Sequence, residues 1–522
     1  MTHDLLSDDL VRVSLDGGTR SATLAQILAW LSGEHEVAFP GLQPHQRHPW
    51  FAFLVQLGAI ARARGGLDLL SCEPAAWRAA LLRLTGGRSE PWSLIVPDLS
   101  MPALLQPPVP EASLDGFKTA ISTPDQLDIL LTTRNFDVKG QRMNSPLPEH
   151  WLYALVTKQT FEGYSGKANY GIVRMNGGQS NRPCVSVAPS LSWGTRFQRD
   201  VQVWLDHRAE IIERHAYDPN GHTLVWLAPW DGTSSISRRA LDPFFIESCR
   251  RTRLAHDGGG IKAAMGTSSV ARIDTADHAG DTGDIWTPVQ TTSKKSGRVS
   301  LTVPASGFTY KKLSDLLFGD GWERPPALEV RADDQPAPVV IAQALVRGQG
   351  KTEGYHERVV PVPAKARKML AAGDGRRRLG ELAKLRINRT AEARDRVLKL
   401  GVLTLLQGVR EEKVDFRDAR ASPWLERFEQ RVDDSFFTSL FDAVDLPADE
   451  VRRVWDGLLV DLLEQTFKDA VAEAPMPSAH RYKILAAAEG RFRGALSNIF
   501  GELLAGRRSR RIGVEQELVE GA

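Results

Sequence analysis

Beyond residue 364 the chain changes character, and that change limits the architecture more than anything before it. Proline almost leaves the interiors of the elements, and apolar residues recur at helical spacing. Four segments of helical length follow, at 379–406, 423–444, 448–472 and 478–504. The connections at 445–447 and 475–478 are short, and short connections between helices make antiparallel neighbours. Leu458, Leu459, Leu462 and Leu463 mark one apolar face; Ile484, Leu485, Ala488 and Phe492 mark another. The natural closure is a four-helix bundle over 364–522.

Residues 1–363 read differently. An alternating opening at Leu10 to Val13 reaches a turn at Asp16-Gly17-Gly18, and Thr23 then precedes a short helix that Gly33 ends. An apolar helix is expected over 48–64, and another over 74–84 with Pro74 at its start. Their Trp and Phe residues read as core. Helices at 149–159 and 192–215, strands at 223–229, 243–254 and 339–346, and a hairpin arm at 294–304 complete a mixed α+β body. The Gly-, Ala- and Asp-rich stretch 257–283 reads as mobile. The expected fold class is therefore α+β: a large N-terminal body at 1–363, then the bundle at 364–522.

Two polar stretches interrupt that body. Residues 159–184 carry Gly163, Gly166, Gly171, Gly177 and Gly178, with Tyr164, Lys167, Asn169, Tyr170, Arg174, Asn176, Gln179, Asn181 and Arg182 between them. Glycine lets backbone approach another chain closely, and these polar side chains are the ones that meet phosphates and base edges. The pattern fits a surface for nucleic acid; an ordinary solvent loop fits it equally. Residues 347–358, RGQGKTEGYHER, read as a tight polar loop after an apolar strand. Gly350-Lys351-Thr352 supplies the end of a phosphate-binding loop, but Leu345 stands where its first glycine belongs, and Gly354, Pro361 and Pro363 break the helix it needs.

Net charge is only +2, so bulk charge announces no partner. Cations do bunch, at Arg250, Arg251 and Arg253, at Lys294, Lys295 and Arg298, at 376–378 and at 507–511. The three cysteines are far apart, which argues against a disulfide framework or zinc site and fits a reducing compartment. No apolar run is long enough to span a bilayer, and the start has no signal-peptide pattern. Neither HExxH, CxxC, GxSxG nor a strand-linked GxGxxG is present. A binder is favoured over an enzyme, with no metal and no cofactor expected.

The ordered set of features resembles CasA, the large-subunit family of the type I-E CRISPR Cascade complex. The resemblance lies in the opening strand and Gly-Gly turn and in the apolar helix LVQLGAIARA. It continues through Gly163-Tyr164-Ser165-Gly166, the Gly177 to Pro183 ending, Trp286-Thr287-Pro288, the loop from Gln349 to Arg358, and the bundle with HRYKILAAAEGRF. It covers nearly the whole chain, and no single motif is diagnostic.

The resemblance implies a non-catalytic, cytoplasmic subunit that reads the protospacer-adjacent motif, the PAM, on double-stranded DNA and starts its unwinding. Guide RNA pairing reads the rest of the target. Implied partners are the other Cascade subunits including the small subunit, the crRNA, duplex target DNA and an effector helicase-nuclease, with no membrane. The matching PAM loop is Gly163, Tyr164, Ser165, Gly166, Lys167 and Asn169. Gln349 matches the wedge, with Lys351 and Thr352 as fallbacks. The basic finger is Lys262 or Arg272, and Arg134, Lys139 and Arg142 fall on a loop facing guide and DNA. Ser165 and Lys167 interrupt the family's denser glycine run, so PAM preference is expected to differ. An accessory nuclease or helicase component is the alternative.

Overall fold

The computed structural model describes residues 2–129, 143–175, 181–274, 278–293, 297–332, 334, 337–348, 351–408 and 413–520; at 293, 347–348, 351–353, 448 and 507–520 it describes the backbone path alone. Two compact units emerge: Met1–Phe308 with Gly319–Val362, and Thr309–Phe318 with Pro363–Ala522. The short piece Thr309–Phe318, inside the expected first domain, groups with the second unit.

The first unit opens on β1 (Val11–Leu15) and β2 (Gly18–Ala22), paired antiparallel around the Asp16-Gly17 turn. Thr23 caps α1 (Leu24–Ser32) reciprocally with Gln26, satisfying two backbone donors that a helix start leaves free. A short β3 (Val37–Ala38) joins the same sheet and leads to α2 (Arg47–Arg64). From His48 to Ala61 every α2 residue is buried, as befits a helix apolar on all sides. Trp50, Phe51 and Phe53 are core, as their setting predicts.

Next come α3 (Pro74–Leu84), β4 (Thr119–Ile121), α4 (Pro124–Leu127), α5 (Pro148–Phe161), β5 (Cys184–Ala188) and α6 (Trp193–His215). The strand expected at 223–229 is cut short. β6 (His222–Leu224) gives way to a 3-10 turn, Val225–Leu227, which drops Trp226 into the core edge-on to Trp92, its indole N–H bonded to Pro91 O at 3.1 Å.

After β7 (Ile236–Ser237), the single strand expected over 243–254 is two, β8 (Leu241–Ile246) and β9 (Arg251–His256). The stretch expected to be mobile contains β10 (Ile261–Gly266), paired with both β9 and β4, and β11 (Ile273–Asp274). One partner, β9, is its neighbour in sequence, but the other, β4, lies about 140 residues earlier, and β-propensity depends on such tertiary pairing. The next hairpin, β12 (Val289–Ser293) with β13 (Gly297–Ser300), starts before the expected arm and ends sooner.

α7 (Tyr310–Phe318) belongs to the second unit; the chain then returns to the first for β14 (Trp322–Glu323), β15 (Val339–Gly348) and β16 (Lys351–Pro361). Residues 347–358 are therefore mostly strand and not the expected tight loop.

The second unit continues with α8 (Ala364–Ala371), α9 (Gly373–Ala393), α10 (Lys399–Gln407), α11 (Ser422–Asp442), α12 (Ala448–Glu473) and α13 (Arg481–Glu520). A π-helical turn at Arg394–Leu398 joins α9 and α10 into the first long helix of the four. Phe436, Trp455, Phe467 and Phe492 fill the bundle, the last two stacked with ring centroids 4.2 Å apart. α13 kinks at Phe500, where Arg389 donates to the Ile499 carbonyl at 2.8 Å and lies over the Phe500 ring. A side chain inserted on the carbonyl ladder is a recognised cause of such a bend.

Candidate nucleic-acid interface

The glycine stretch leaves the end of α5, and its first nine residues close on themselves. Ile172 N–H donates to Glu162 O at 2.9 Å, so the chain departs and returns at one neck. A Cβ on Gly171 would stand 2.2 Å from the carbonyl carbon of Gly163, so backbone packs on backbone and only glycine fits. Within the loop Ser165 N–H donates to Asn169 O, and Asn169 N–H to Gly166 O, both at 3.0 Å. Gly166, at φ +121°, has open space around its Cβ position, and Lys167 beside it is exposed. The far side is held by Ser268 N–H to Ala168 O and by the Tyr170 hydroxyl to Ser269 O, each 3.1 Å.

Arg250 fixes the neck. Its guanidinium meets Glu162 at 3.0 Å, Gly163 O at 3.0 Å and Ser165 Oγ at 3.2 Å, and its own backbone N–H donates to Gln159 at 2.7 Å. Lys158 is the second cation on Glu162, at 3.0 Å. Arg250 is buried, so the cluster with Arg251 and Arg253 is not the solvated patch that a cationic run suggests. Arg253 is likewise buried, donating to the Met101, Gln106, Val96 and Asp98 carbonyls. Arg251 is half-buried against Phe117 and donates to Thr267 O.

Three polar residues of the stretch, Arg174, Asn181 and Arg182, are buried in the core. Arg174 lies 4.0 Å from the Phe245 ring centroid and donates to Phe245 O. Arg182 grips Asp284 with two bonds of 2.7 and 2.6 Å between the rings of Phe161 and Trp286. Asn181 is buried and bridges two segments: its Oδ1 accepts from Gly163 N–H at 2.9 Å, and its Nδ2 donates to Leu345 O at 3.1 Å.

Leaving the loop, Val173 N–H donates to Glu247 at 2.8 Å, with Arg174 3.8 Å from the same carboxyl. Burial pushes the Glu247 carboxyl up to about 7, outweighing Arg174 and the backbone bonds that pull it down. A carboxyl raised on folding lends stability that is complete below its unfolded value of about 4.3 and is lost as pH climbs toward the folded value. Glu247→Gln should remove that loss. Its stability relative to the parent, read by denaturant unfolding, should rise between about pH 5 and pH 7.5; a gap that ignores pH would contradict the assignment.

The second polar stretch is held by register. β15 pairs antiparallel with β16 from Val339↔Pro361 to Gly348↔Lys351, and with β5 from Val339↔Ala188 to Gln343↔Cys184. β5 thus runs out at Cys184, and the β15–β16 hairpin continues past it on the side from which the glycine stretch enters β5. The register shifts between Val346 and Arg347, opposite Gly354 at φ +126°, as in a glycine-containing bulge. At the root of the hairpin Tyr355 stacks on His48, centroids 5.7 Å apart, and His48 meets Phe161, the last residue of α5, edge-on at 4.9 Å. The glycine loop and the β15–β16 hairpin therefore share a base.

The sequence-derived site residues divide. Gly163, Tyr164, Ser165, Gly166, Lys167 and Asn169 form the closed loop, but Gly163 has its N–H and C=O committed to Asn181 and Arg250. Lys351 and Thr352 begin β16 opposite Gly348 and Arg347. Gln349, Arg134, Lys139 and Arg142 lie outside the described residues.

Lys262 is exposed near the far end of β10 and pairs with Asp257. Six residues of strand-like chain at about 3.3 Å each put it about 20 Å from Ser268, where the loop docks. Arg272 is corrected: it is buried, donates to the Val225, Ala228 and Pro229 carbonyls and covers the Trp230 ring, so it cannot act as a free finger. Burial lowers its pKa to about 10. The sequence marks Asn181 as a polar residue of the glycine stretch and Arg250 as part of a cationic cluster, but not their roles, because their partners are distant in sequence. It passes over Lys118, exposed beside β4 near the Ser268 end of β10.

Among the described residues no group of three or more His, Cys, Asp or Glu side chains is arranged to hold a metal ion, and no helix is long and apolar enough to cross a membrane. No family model matches the sequence, and no curated protein matches it. Solved structures do match along nearly the whole chain. The CRISPR-associated protein Cse1 from Acidimicrobium ferrooxidans superposes with a TM-score of 0.66 at 14% identity, covering 96% of this chain and 99% of that one. CasA (Cse1) from Thermus thermophilus gives 0.64 at 15%, covering 95% and 99%. Cse1 from Thermobifida fusca gives 0.65 at 13%, covering 96% and 98%. The chain has the CasA/Cse1 fold: a mixed α+β body with several small sheets, then four long helices.

Proposed function

We propose that this chain is the non-catalytic large subunit of a Cascade-type, crRNA-guided surveillance complex, that it reads the PAM of duplex DNA, and that it begins strand separation there. The supporting observation is the combination of a CasA/Cse1 fold over nearly the whole chain with a glycine loop and a β-hairpin rooted on one base. The loop around Gly166 and Lys167 approaches the minor groove, where the edge code is degenerate and close backbone with one or two donors suffices. The β15–β16 hairpin enters beside the motif. Lys262 remains the finger candidate among the described residues. The small subunit, the displaced strand and the effector helicase-nuclease are the expected partners, in the cytoplasm.

The test is a gel-shift series with duplexes of varied motif, with and without the guide-bound partner subunits. The expected result is motif-dependent binding in the full complex that weakens steeply with salt, because lysine and arginine contacts release counterions. Metal- or ATP-dependent cleavage by the isolated chain would overturn the reading in favour of a nuclease or helicase component. Within the same series, Gln349→Ala should slow R-loop nucleation about tenfold or more while changing initial duplex affinity about threefold or less, as one lost transition-state contact would. Equal binding with equal opening would remove Gln349 from the wedge.

A further inference from the structure

At the shared base, one side chain hydrogen-bonds the glycine loop to the hairpin directly. β15 pairs with β5 only as far as Gln343↔Cys184, and the next rungs of the ladder would fall on the residues just before Cys184. There the Asn181 carboxamide takes over: its Nδ2 donates to Leu345 O, and its Oδ1 accepts from Gly163 N–H at the neck of the glycine loop. One planar amide thus joins a strand carbonyl to a loop N–H. Both partners are buried, and only one orientation of the amide satisfies both. Aspartate offers the acceptor without the donor, and leucine offers neither.

We propose that Asn181 is a positioning residue that couples the glycine loop to the β15–β16 hairpin, so that duplex held by the loop is presented to the hairpin at a fixed offset. This rests on the duplex-reading role above. Asn181 touches no DNA itself. It converts contact at the loop into placement of the hairpin end marked by Gly348 and Lys351. Without it the two elements still fold on their own hydrogen bonds and still meet at His48, but the direct hydrogen-bonded link that fixes their offset is gone.

The coupling makes an unusual prediction for Asn181→Asp. At neutral pH the introduced carboxylate still accepts from Gly163 but presents an oxygen to Leu345 O. At low pH burial favours its protonated form, which can donate again. Among the described residues, the charged and titratable groups near it include Arg250, Glu162 and Lys158 at the neck, Arg182 next in the chain with Asp284 and Glu247 acting on it, and His48 and Tyr355 on the hairpin side.

The experiment uses the full chain in the reconstituted guide-bound complex and two duplexes. One carries interstrand cross-links and cannot open; the other carries 2-aminopurine in the first base pairs beyond the motif. At neutral pH the Asn181→Asp complex should bind the cross-linked duplex within about threefold of the parent but open the second about tenfold more slowly, the worth of one hydrogen bond. Opening should recover as pH falls, relative to the parent at each pH. Asn181→Ser, which removes both bonds without charge, should lose more opening than affinity and show no recovery.

Parent-like opening by Asn181→Asp at neutral pH, or an equal slowing at every pH, overturns the coupling. If that variant does not fold, Asn181→Ser decides: an equal fall in affinity and opening overturns it. If the parent complex neither binds nor opens these duplexes, the duplex-reading role itself falls, a separate outcome.

Discussion

Gly166→Asp should abolish motif-dependent duplex binding, lowering affinity about 100-fold or more while thermal stability stays near the parent's. Two independent costs add. At φ +121° a side chain is strained, at about 1–3 kcal/mol, which the loop tip relieves by leaving that conformation, so duplex binding has to restore it at the same cost. A carboxylate at the loop tip then faces phosphates, and like charges about 4 Å apart repel by about 1–4 kcal/mol in an aqueous to near-surface environment. Together these amount to about 2–7 kcal/mol, a range centred above the roughly 2.8 kcal/mol that a hundredfold loss requires. Gly166→Ala carries the strain alone, and open space surrounds its Cβ, so it should fall in between. Binding titrations by fluorescence anisotropy on matched duplexes read all three proteins; undiminished affinity in the aspartate variant would take this loop out of the interface.

Arg250→Met should behave in the opposite way, lowering stability as well as binding. Its removal leaves the buried Glu162 carboxylate with Lys158 as its ion-pair partner and strips donors from Gly163 O and Ser165 Oγ. Breaking a buried pair on one side costs about 3–5 kcal/mol, which for a unit of this size is a fall of roughly 4–7 °C in melting temperature. Glu162→Gln added to Arg250→Met should return part of that loss, because the buried carboxylate, left with less compensation, is neutralised. A single variant that melts like the parent, or a double variant that is simply additive, would show that the neck does not depend on this ion pair.

These two expectations show what the sequence could and could not carry. The bundle helices were legible because a 3.6-residue apolar period is written locally, and so was α2, apolar on all sides. The arginines were not. A cationic run looks the same whether it is solvated or buried, and what decides is a partner far along the chain, Asp284 for Arg182 or Glu162 for Arg250. The hairpin was hidden for a related reason. Its glycines read as a loop, yet Gly354 sits at a bulge inside a strand whose pairing is set by β15. β10 was missed because its partners β9 and β4 lie on either side of it in space and only one lies near it in sequence. Glycine in the 163–171 loop was legible as a signal but not as a division of labour: Gly171 lets two backbones touch, while Gly166 leaves space for something else to approach.

The central claim is that the loop tip and the hairpin end meet the same few base pairs of duplex DNA. Site-specific photo-cross-linking tests it most directly, with the reactive group placed at Lys167 in one preparation and at Lys351 in another, each in the guide-bound complex with motif-bearing duplex. The account predicts cross-links from both positions to neighbouring base pairs at the edge of the motif, lost together when the motif is scrambled. Cross-links from the two positions to widely separated base pairs, or cross-linking that ignores the motif, would contradict it.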